Sequence, residues 1–220
     1  MKYHKPPQAA PHAALHAVVQ THFEATWRRP VSSHSIEAFQ RVKERVSAHP
    51  GELMLDSCCG TGQSTRYLAE QFPNALILGV DKSAHRLDRH GSKGMGDYEL
   101  VRADVNDFWR LAEAAGWRLA RHFLFYPNPY PKASQLRKRW YASPAFPVLL
   151  RLGGYLTVRT NWQVYAEEFQ QALGLVGYEA GLQALQVNSP ISAFETKYQA
   201  QGDTLFELTS DLDVGNAVEL

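Results

Sequence analysis

The chain has 220 residues, with 23 Lys and Arg against 22 Asp and Glu, 45% hydrophobic and 20% charged residues. That length suits one sizeable core, and the composition is that of an ordinary globular domain. No apolar run approaches the length of a membrane span: Ala75–Val80 is among the longest. A net charge of +1 does not by itself announce a nucleic-acid binder, but the charge is uneven. Residues 1–49 carry seven Lys/Arg against three Asp/Glu, and residues 160–220 carry one Lys against nine Asp/Glu. A basic front of this kind can face a polyanion.

The opening MKYHKPPQAAPH is Pro-rich, is expected to be loose, and has no apolar secretory core, so a cytoplasmic location is expected. The two cysteines, Cys58 and Cys59, are adjacent, which suits neither a structural disulfide nor a zinc site. His12, His16, His22 and His34 form no H-E-x-x-H pattern, so no metal is expected.

Residues 12–28 and 34–48 read as helices, with Ile36, Phe39, Val42 and Val46 near helical spacing and Pro30 and Pro50-Gly51 as breaks. Strands then alternate with helices. The strands are Leu53–Cys58, Leu76–Val80, Tyr98–Ala103, Phe123–Tyr126 and Tyr155–Arg159. The helices are Gln63–Gln71, Ala84–Arg89, Phe108–Ala115, Pro144–Arg151 and Trp162–Leu173. Gln183–Val187 and Thr204–Leu208 read as a closing pair of strands. This alternation predicts right-handed crossovers and an α/β fold, a doubly wound and mostly parallel sheet with helices on both faces. Ligands of such sheets bind at the carboxyl ends of the strands.

Three acids stand at three successive strand ends. Asp56 precedes a turn containing Gly60 and Gly62, glycines that let the chain approach a ligand closely. Neither G-x-G-x-x-G nor G-K-[ST] is present, and an acid in the turn suits a ligand with a free ammonium group better than a pyrophosphate. Asp81 follows Asp56 by twenty-five residues, where a carboxylate can accept both ribose hydroxyls. Asp104 ends the third strand, within reach of an adenine amine. The set points to S-adenosyl-L-methionine, with S-adenosylhomocysteine as product, and is similar to that of the Rossmann-like class I methyltransferases. Cys58 stands where many members of that class have their first glycine.

The fourth strand runs into FLFYPNPYPKASQLRKRW, residues 123–140. This resembles the signature of the bacterial tRNA (guanine-N7)-methyltransferases, in which a strand leads to P-D-P-W and a basic stretch. TVRTNW, residues 157–162, resembles the family's A-T-D-W, and SAFETKY, residues 192–198, resembles its T-K-F-E-x-x-G. The resemblance covers roughly residues 50–208 and makes the chain a divergent member. It implies an N-terminal helical extension over 1–49, a methyltransferase domain over 50–220, and N7 of a guanine in tRNA or a related RNA as methyl acceptor. Asp56, Cys58, Gly60, Gly62, Asp81 and Asp104 would hold cofactor. Asn128 would sit by the methyl group as catalytic and cofactor-side residue. Lys132, Lys138, Arg139, Asn161, Ser192 and Glu195 would hold substrate.

Asn128 and Asn161 each stand where the family has Asp, so two carboxylates are neutralised. Guanine N7 has no proton to lose and its methylation needs no general base, only placement roughly 3 Å from the methyl carbon in line with the sulfur. Two alternatives remain open at this level. Asn128-Pro129-Tyr130 resembles the N-P-P-Y segment of enzymes that methylate exocyclic amines, and the Asp-to-Asn changes suit a non-catalytic relative that binds RNA or protein. The run Arg137-Lys138-Arg139 is read as phosphate-facing or merely solvated, and Trp27 as packing a helix end. A membrane partner is not expected, and monomer and homodimer are equally open.

Overall fold

A computed structural model describes residues 8–91 and 94–214. Its centre is a seven-stranded sheet in the order β3-β2-β1-β4-β5-β7-β6. The strands are β1 Leu53–Ser57, β2 Leu76–Asp81, β3 Asp97–Arg102, β4 Arg121–Phe125, β5 Tyr155–Thr160, β6 Gly181–Leu185 and β7 Leu205–Asp211. The first five pair in parallel, and β7 runs antiparallel between β5 and β6. The expected closing pair thus exists, with β6 starting two residues earlier than expected and β7 extending three residues further.

Alternate residues of the central strands feed two separate apolar layers, the period-2 consequence of a pleated strand covered on both faces. Leu55, Leu76, Leu78 and Leu124 join one layer, whereas Met54, Ile77, Phe123 and Phe125 join the other. The first layer is covered by α1 (Leu15–Glu24), α2 (Ser33–Ala48), α5 (Val105–Ala114), α6 (Phe146–Leu152) and α7 (Gln163–Leu175). Leu68 and Ala69 of α3 (Gln63–Gln71) belong to the second, as do Ile191 and Tyr198 around α8 (Ala193–Ala200). A short α4 (Ala84–Leu87) follows β2.

Several boundaries differ from expectation for local reasons. α1 ends at Glu24, and the segment carrying Trp27, Arg28 and Arg29 is not helical; Trp27 packs on the core there, under the Arg110 and Arg29 guanidinium groups. α5 starts three residues early because Asp104 caps it, accepting from the Asn106 amide at 2.9 Å. α8 is a helix that the sequence pattern does not announce, although Ser192 and Glu195 have the spacing of a helix start. Ser192 Oγ accepts from the Glu195 amide at 3.2 Å.

The basic segment after β4 folds into two short 3-10 turns, Ala133–Lys138 and Trp140–Ala142. Arg139, between them, is a correction to the sequence reading. It is not presented to a substrate but is 0% exposed, ion-paired with the equally buried Glu168 of α7. Its guanidinium also donates to the Tyr130 and Lys132 carbonyls at 3.1 and 3.3 Å. Glu168 further accepts from Tyr141, from the Gln8 side chain at 2.6 Å and from the His12 amide at 2.7 Å. Of the Pro-rich opening, residues 1–7 lie outside the described residues, while Gln8 and His12 are held by this pair.

Breaking the pair from one side leaves a bare charge in the core. Glu168→Ala is expected to lower unfolding free energy by about 3–5 kcal/mol in urea titrations, whereas Arg139→Met with Glu168→Leu recovers most of that loss. Equal losses in the single and double variants would show that the charge itself is not what Glu168 compensates.

Candidate active site

The carboxyl ends of β1 to β4 open into a cleft of about 500 Å³. Of the turn after β1, Cys58 lines it, whereas Gly60 and Gly62 are buried and do not. Cys58, Gly60 and Gly62 all have left-handed φ, 63°, 62° and 76°. At Gly62 a Cβ would be strained by the left-handed φ and would fall 2.7 Å from the Leu100 side chain, which would have to shift. A Cβ on Gly60 would meet nothing within 4 Å. Cys58 carries the steric strain that glycine avoids, and it lines the cleft. Burial, then the charge of Asp81, pushes its thiol up to about 12, so it is not a nucleophile at neutral pH.

Asp81, at the end of β2, is 1% exposed and lines the cleft. It accepts from the Gly60 amide at 3.1 Å and the Ser83 amide at 2.8 Å, and Arg86 approaches it at 3.0 Å. The carboxylate thereby ties the glycine turn to the neighbouring strand end. Asp104 lines the same cleft from the end of β3, with Arg29 at 3.5 Å. Asp56 is placed differently. It is 0% exposed beneath α3, accepts from Ser64 and Thr65 hydroxyls at 2.7 Å each, and is absent from the cleft lining. Its Oδ1 has no protein partner, and burial raises its pKa to about 6.

At the end of β4 the chain turns through Tyr126 and Tyr130, both with left-handed φ, 53° and 47°. Bulky residues rarely tolerate this geometry, and such strain collects at functional loops. Between them Asn128 is exposed to the cleft, its Oδ1 accepting from the Tyr130 amide at 3.2 Å. Lys138 also lines the cleft, its ammonium 5.7 Å from the Tyr130 ring centroid.

The remaining expected substrate residues fall elsewhere. Lys132 and Asn161 do not line the cleft, and the Asn161 amide donates to Asp203 at 3.0 Å. Ser192 caps α8. Glu195, expected as a substrate-facing carboxylate, is instead 0% exposed. It accepts from the Tyr126 hydroxyl at 3.0 Å, Arg159 at 2.8 Å and the Ile191 amide at 2.8 Å. Burial, reinforced by the Glu195 charge, raises the Tyr126 pKa, so this phenol stays a donor. Sequence reasoning missed Lys82, Arg86, Tyr126, Trp140, Phe194 and Tyr198, all of which line the cleft. Tyr126, Trp140, Phe194 and Tyr198 lie within the motif segments of the sequence, whereas Lys82 and Arg86 carried no signal. Among the described residues no group of three or more His, Cys, Asp or Glu is placed to hold a metal ion.

The model of the Methyltransf_4 methyltransferase family matches residues 50–208. The chain belongs to this family. Among relatives, the tRNA (guanine-N(7)-)-methyltransferase of Treponema pallidum subsp. pallidum is 27% identical over 167 residues. That alignment covers 72% of this chain and 66% of the relative, so the chain spans just under two thirds of that protein's length. The same-named protein of Leifsonia xyli subsp. xyli is 26% identical over 68% of this chain and 71% of its own. Among solved structures, the 16S rRNA methyltransferase KamB superposes with a TM-score of 0.56 at 14% identity, over 83% of this chain and 95% of KamB. An antibiotic-related methyltransferase gives 0.55 at 15% identity, over 84% and 96%. These two support the methyltransferase fold of the family.

The site makes two stability predictions. Cys58→Gly relieves a left-handed Cβ and is expected to stabilise the fold by about 1 kcal/mol in thermal melts, an unchanged melting temperature counting against strain at this turn. The second concerns pH. Buried His122, 2.9 Å from Ser57 Oγ, has its pKa lowered by burial to about 3. Below pH 6.5 the unfolded ring takes up a proton that the folded one refuses, so stability falls by up to roughly 1.4 kcal/mol per pH unit. Asp56 has the opposite sign: its raised folded pKa makes stability rise as pH drops from about 6 to the unfolded value of 3.8. The two contributions oppose each other across pH 4–6. Asp56→Asn should lose stability on acidification there and His122→Gln should gain it; parallel curves for all three would refute both assignments.

Proposed function

We propose that this chain transfers the methyl group of S-adenosyl-L-methionine to N7 of a guanine in tRNA. The observation that carries the reading is the run from β4 into the cleft. It resembles the tRNA guanine-N7 signature, and its Asn128 shares the cleft with Asp81 and Asp104.

The residues present fit the cofactor. The two carboxylates at successive strand ends suit a cationic nucleoside carrying ribose hydroxyls and an adenine amine, and a Cβ added at Gly60 would meet nothing within 4 Å. Asp81 would hold the ribose, exchanging its Arg86 contact for the hydroxyls, and Asp104 would reach the adenine edge. Gly60, Gly62 and Cys58 would shape the turn after β1, with Asp56 supporting that turn from beneath α3. When bound, the cofactor supplies an electrophilic methyl group on a sulfonium. What falls to this chain is placement of the acceptor ring, because N7 presents a lone pair and no proton must be removed.

On the acceptor side, Asn128 retains one amide for the base after its carbonyl has closed the turn to Tyr130. Lys138 is positioned for a phosphate or a carbonyl acceptor. Lys132 and Asn161 lie outside the cleft and would meet more distant parts of an RNA. Ser192 and Glu195 act through α8, which they cap and pin. Residues 1–49, whose α1 and α2 share the core under α5 to α7, are read as an N-terminal helical part of this enzyme. A cytoplasmic site of action goes with a tRNA substrate; among the described residues no helix is long and apolar enough to cross a membrane. The exocyclic-amine and binding-only alternatives draw no support from the family match.

The test uses labelled S-adenosyl-L-methionine and a tRNA transcript lacking N7-methylguanosine, with mass analysis of the nucleosides. Label in N7-methylguanosine is expected, and label confined to another nucleoside would overturn the acceptor. Asp81→Ala should weaken cofactor binding about 10- to 100-fold by calorimetry, since a charged hydrogen-bonding partner is removed; unchanged affinity would displace the ribose from β2.

A further inference from the structure

α8 brings two aromatic rings to the cleft. Phe194 and Tyr198 are four residues apart, on one face of the helix, and both line the cleft. Their ring centroids are 6.1 Å apart with planes only 20° from parallel. Tyr126 continues the surface, 5.6 Å from Tyr198 and 6.5 Å from Phe194. Phe194 is 41% exposed, a large apolar side chain that the core does not absorb. Tyr198 stands where the family pattern T-K-F-E-x-x-G places a glycine, so the second ring is this chain's own addition.

The shelf is held with more polar bonding than packing alone would need. Glu195, between the two aromatic positions, is anchored by Arg159, the Tyr126 hydroxyl and the Ile191 amide, all at 3.0 Å or less. Arg159 is itself fixed by Glu207 at 2.8 Å, and it lies over the Phe125 ring. In the family pattern A-T-D-W, alanine stands at the position of Arg159. Two departures from the family, Arg159 and Tyr198, thus converge on one helix. Across the cleft stand Asn128, Tyr130, Lys138 and Trp140. The Lys197 ammonium is 5.6 Å from the Tyr198 ring centroid, a cation beside the shelf.

We propose that Phe194 and Tyr198 form a stacking platform for the acceptor nucleobase, with Glu195 and Arg159 as positioning residues that fix α8. The proposal deepens the RNA-acceptor reading above and rests on it. A planar base gains by lying on such rings whatever its hydrogen-bonding edge, and stacking of this kind tolerates the loss of a carboxylate acceptor at Asn128. The platform would thereby take over part of the task of holding the base.

The probe is an unmodified tRNA transcript, titrated by fluorescence anisotropy with S-adenosylhomocysteine present, alongside total methyl transfer. Phe194→Ala and Tyr198→Gly should each weaken RNA binding about 5- to 100-fold, the range seen when a stacked aromatic is truncated. Cofactor affinity by calorimetry should stay within about twofold, and Phe194→Trp should bind as the parent does. Phe194→Leu keeps apolar bulk without a π face, so parent-like RNA affinity in that variant would overturn the platform. Parent-like affinity in Phe194→Ala would do the same. Phe194 is partly exposed, and a melting temperature matching the parent confirms that a loss is not unfolding. Methyl transfer to a nucleoside other than N7-methylguanosine, still lost in Phe194→Ala, would overturn the guanine-N7 reading and keep the platform. Failure of the parent to bind RNA would overturn both.

Discussion

The geometry of the loop after β4 depends on one buried ion pair, Arg139 with Glu168, and on the desolvation that makes it costly to open. Neither group has solvent, so each must collect its full set of partners from the protein. Arg139 therefore reaches the Tyr130 and Lys132 carbonyls, and Glu168 draws in Tyr141, Gln8 and the His12 amide. Three stretches far apart in the chain, the N-terminal segment, the loop after β4 and α7, are bound to a single point. The loop cannot drift without breaking several charged hydrogen bonds together. That rigidity is what allows Tyr130 to be kept at a left-handed φ and Asn128 to stand at a defined corner of the cleft.

The cleft has two electrostatic halves. Asp81 and Asp104 border it at the ends of β2 and β3, as parallel topology requires, and the glycine turn is stitched to Asp81 by the Gly60 amide. Around the loop after β4 and α8 the cleft has no free carboxylate among the described residues: Asn128 carries no charge, and Glu195 is buried and engaged by Arg159. Lys138 lines the cleft there, while Lys82 and Arg86 line it beside Asp81. On the proposed RNA-acceptor reading, a base would be oriented here by neutral amides and the ring faces of α8.

Much of the fold is legible from residues alone. The alternation of apolar strands with amphipathic stretches locates β1 to β5 and α3, α6 and α7 within a few residues, because period-2 and helical patterns are local properties. α8 is not legible in this way, because its Ser192-to-Glu195 start coincides with a family motif and its burial comes from Glu195 and not from an apolar stripe. The early start of α5 is hidden because Asp104, a natural ligand for a cofactor, also caps the helix. A carboxylate at a strand end can serve both uses, and sequence does not separate them.

What the sequence by itself determined is the succession of elements, the family, and the acids at the ends of β2 and β3, since strand order and spacing leave them at the cleft. What only the tertiary structure decided is which charges are free. Asp56, Arg139 and Glu195 look alike on paper to Asp81, Lys138 and Asp104, yet the first three are absent from the cleft lining and the last three border it. The reason is that a charged side chain is available to a ligand only if folding leaves it a face toward the ligand's space. Here its partners decide that, and they come from residues up to 160 positions away, such as Gln8 at Glu168.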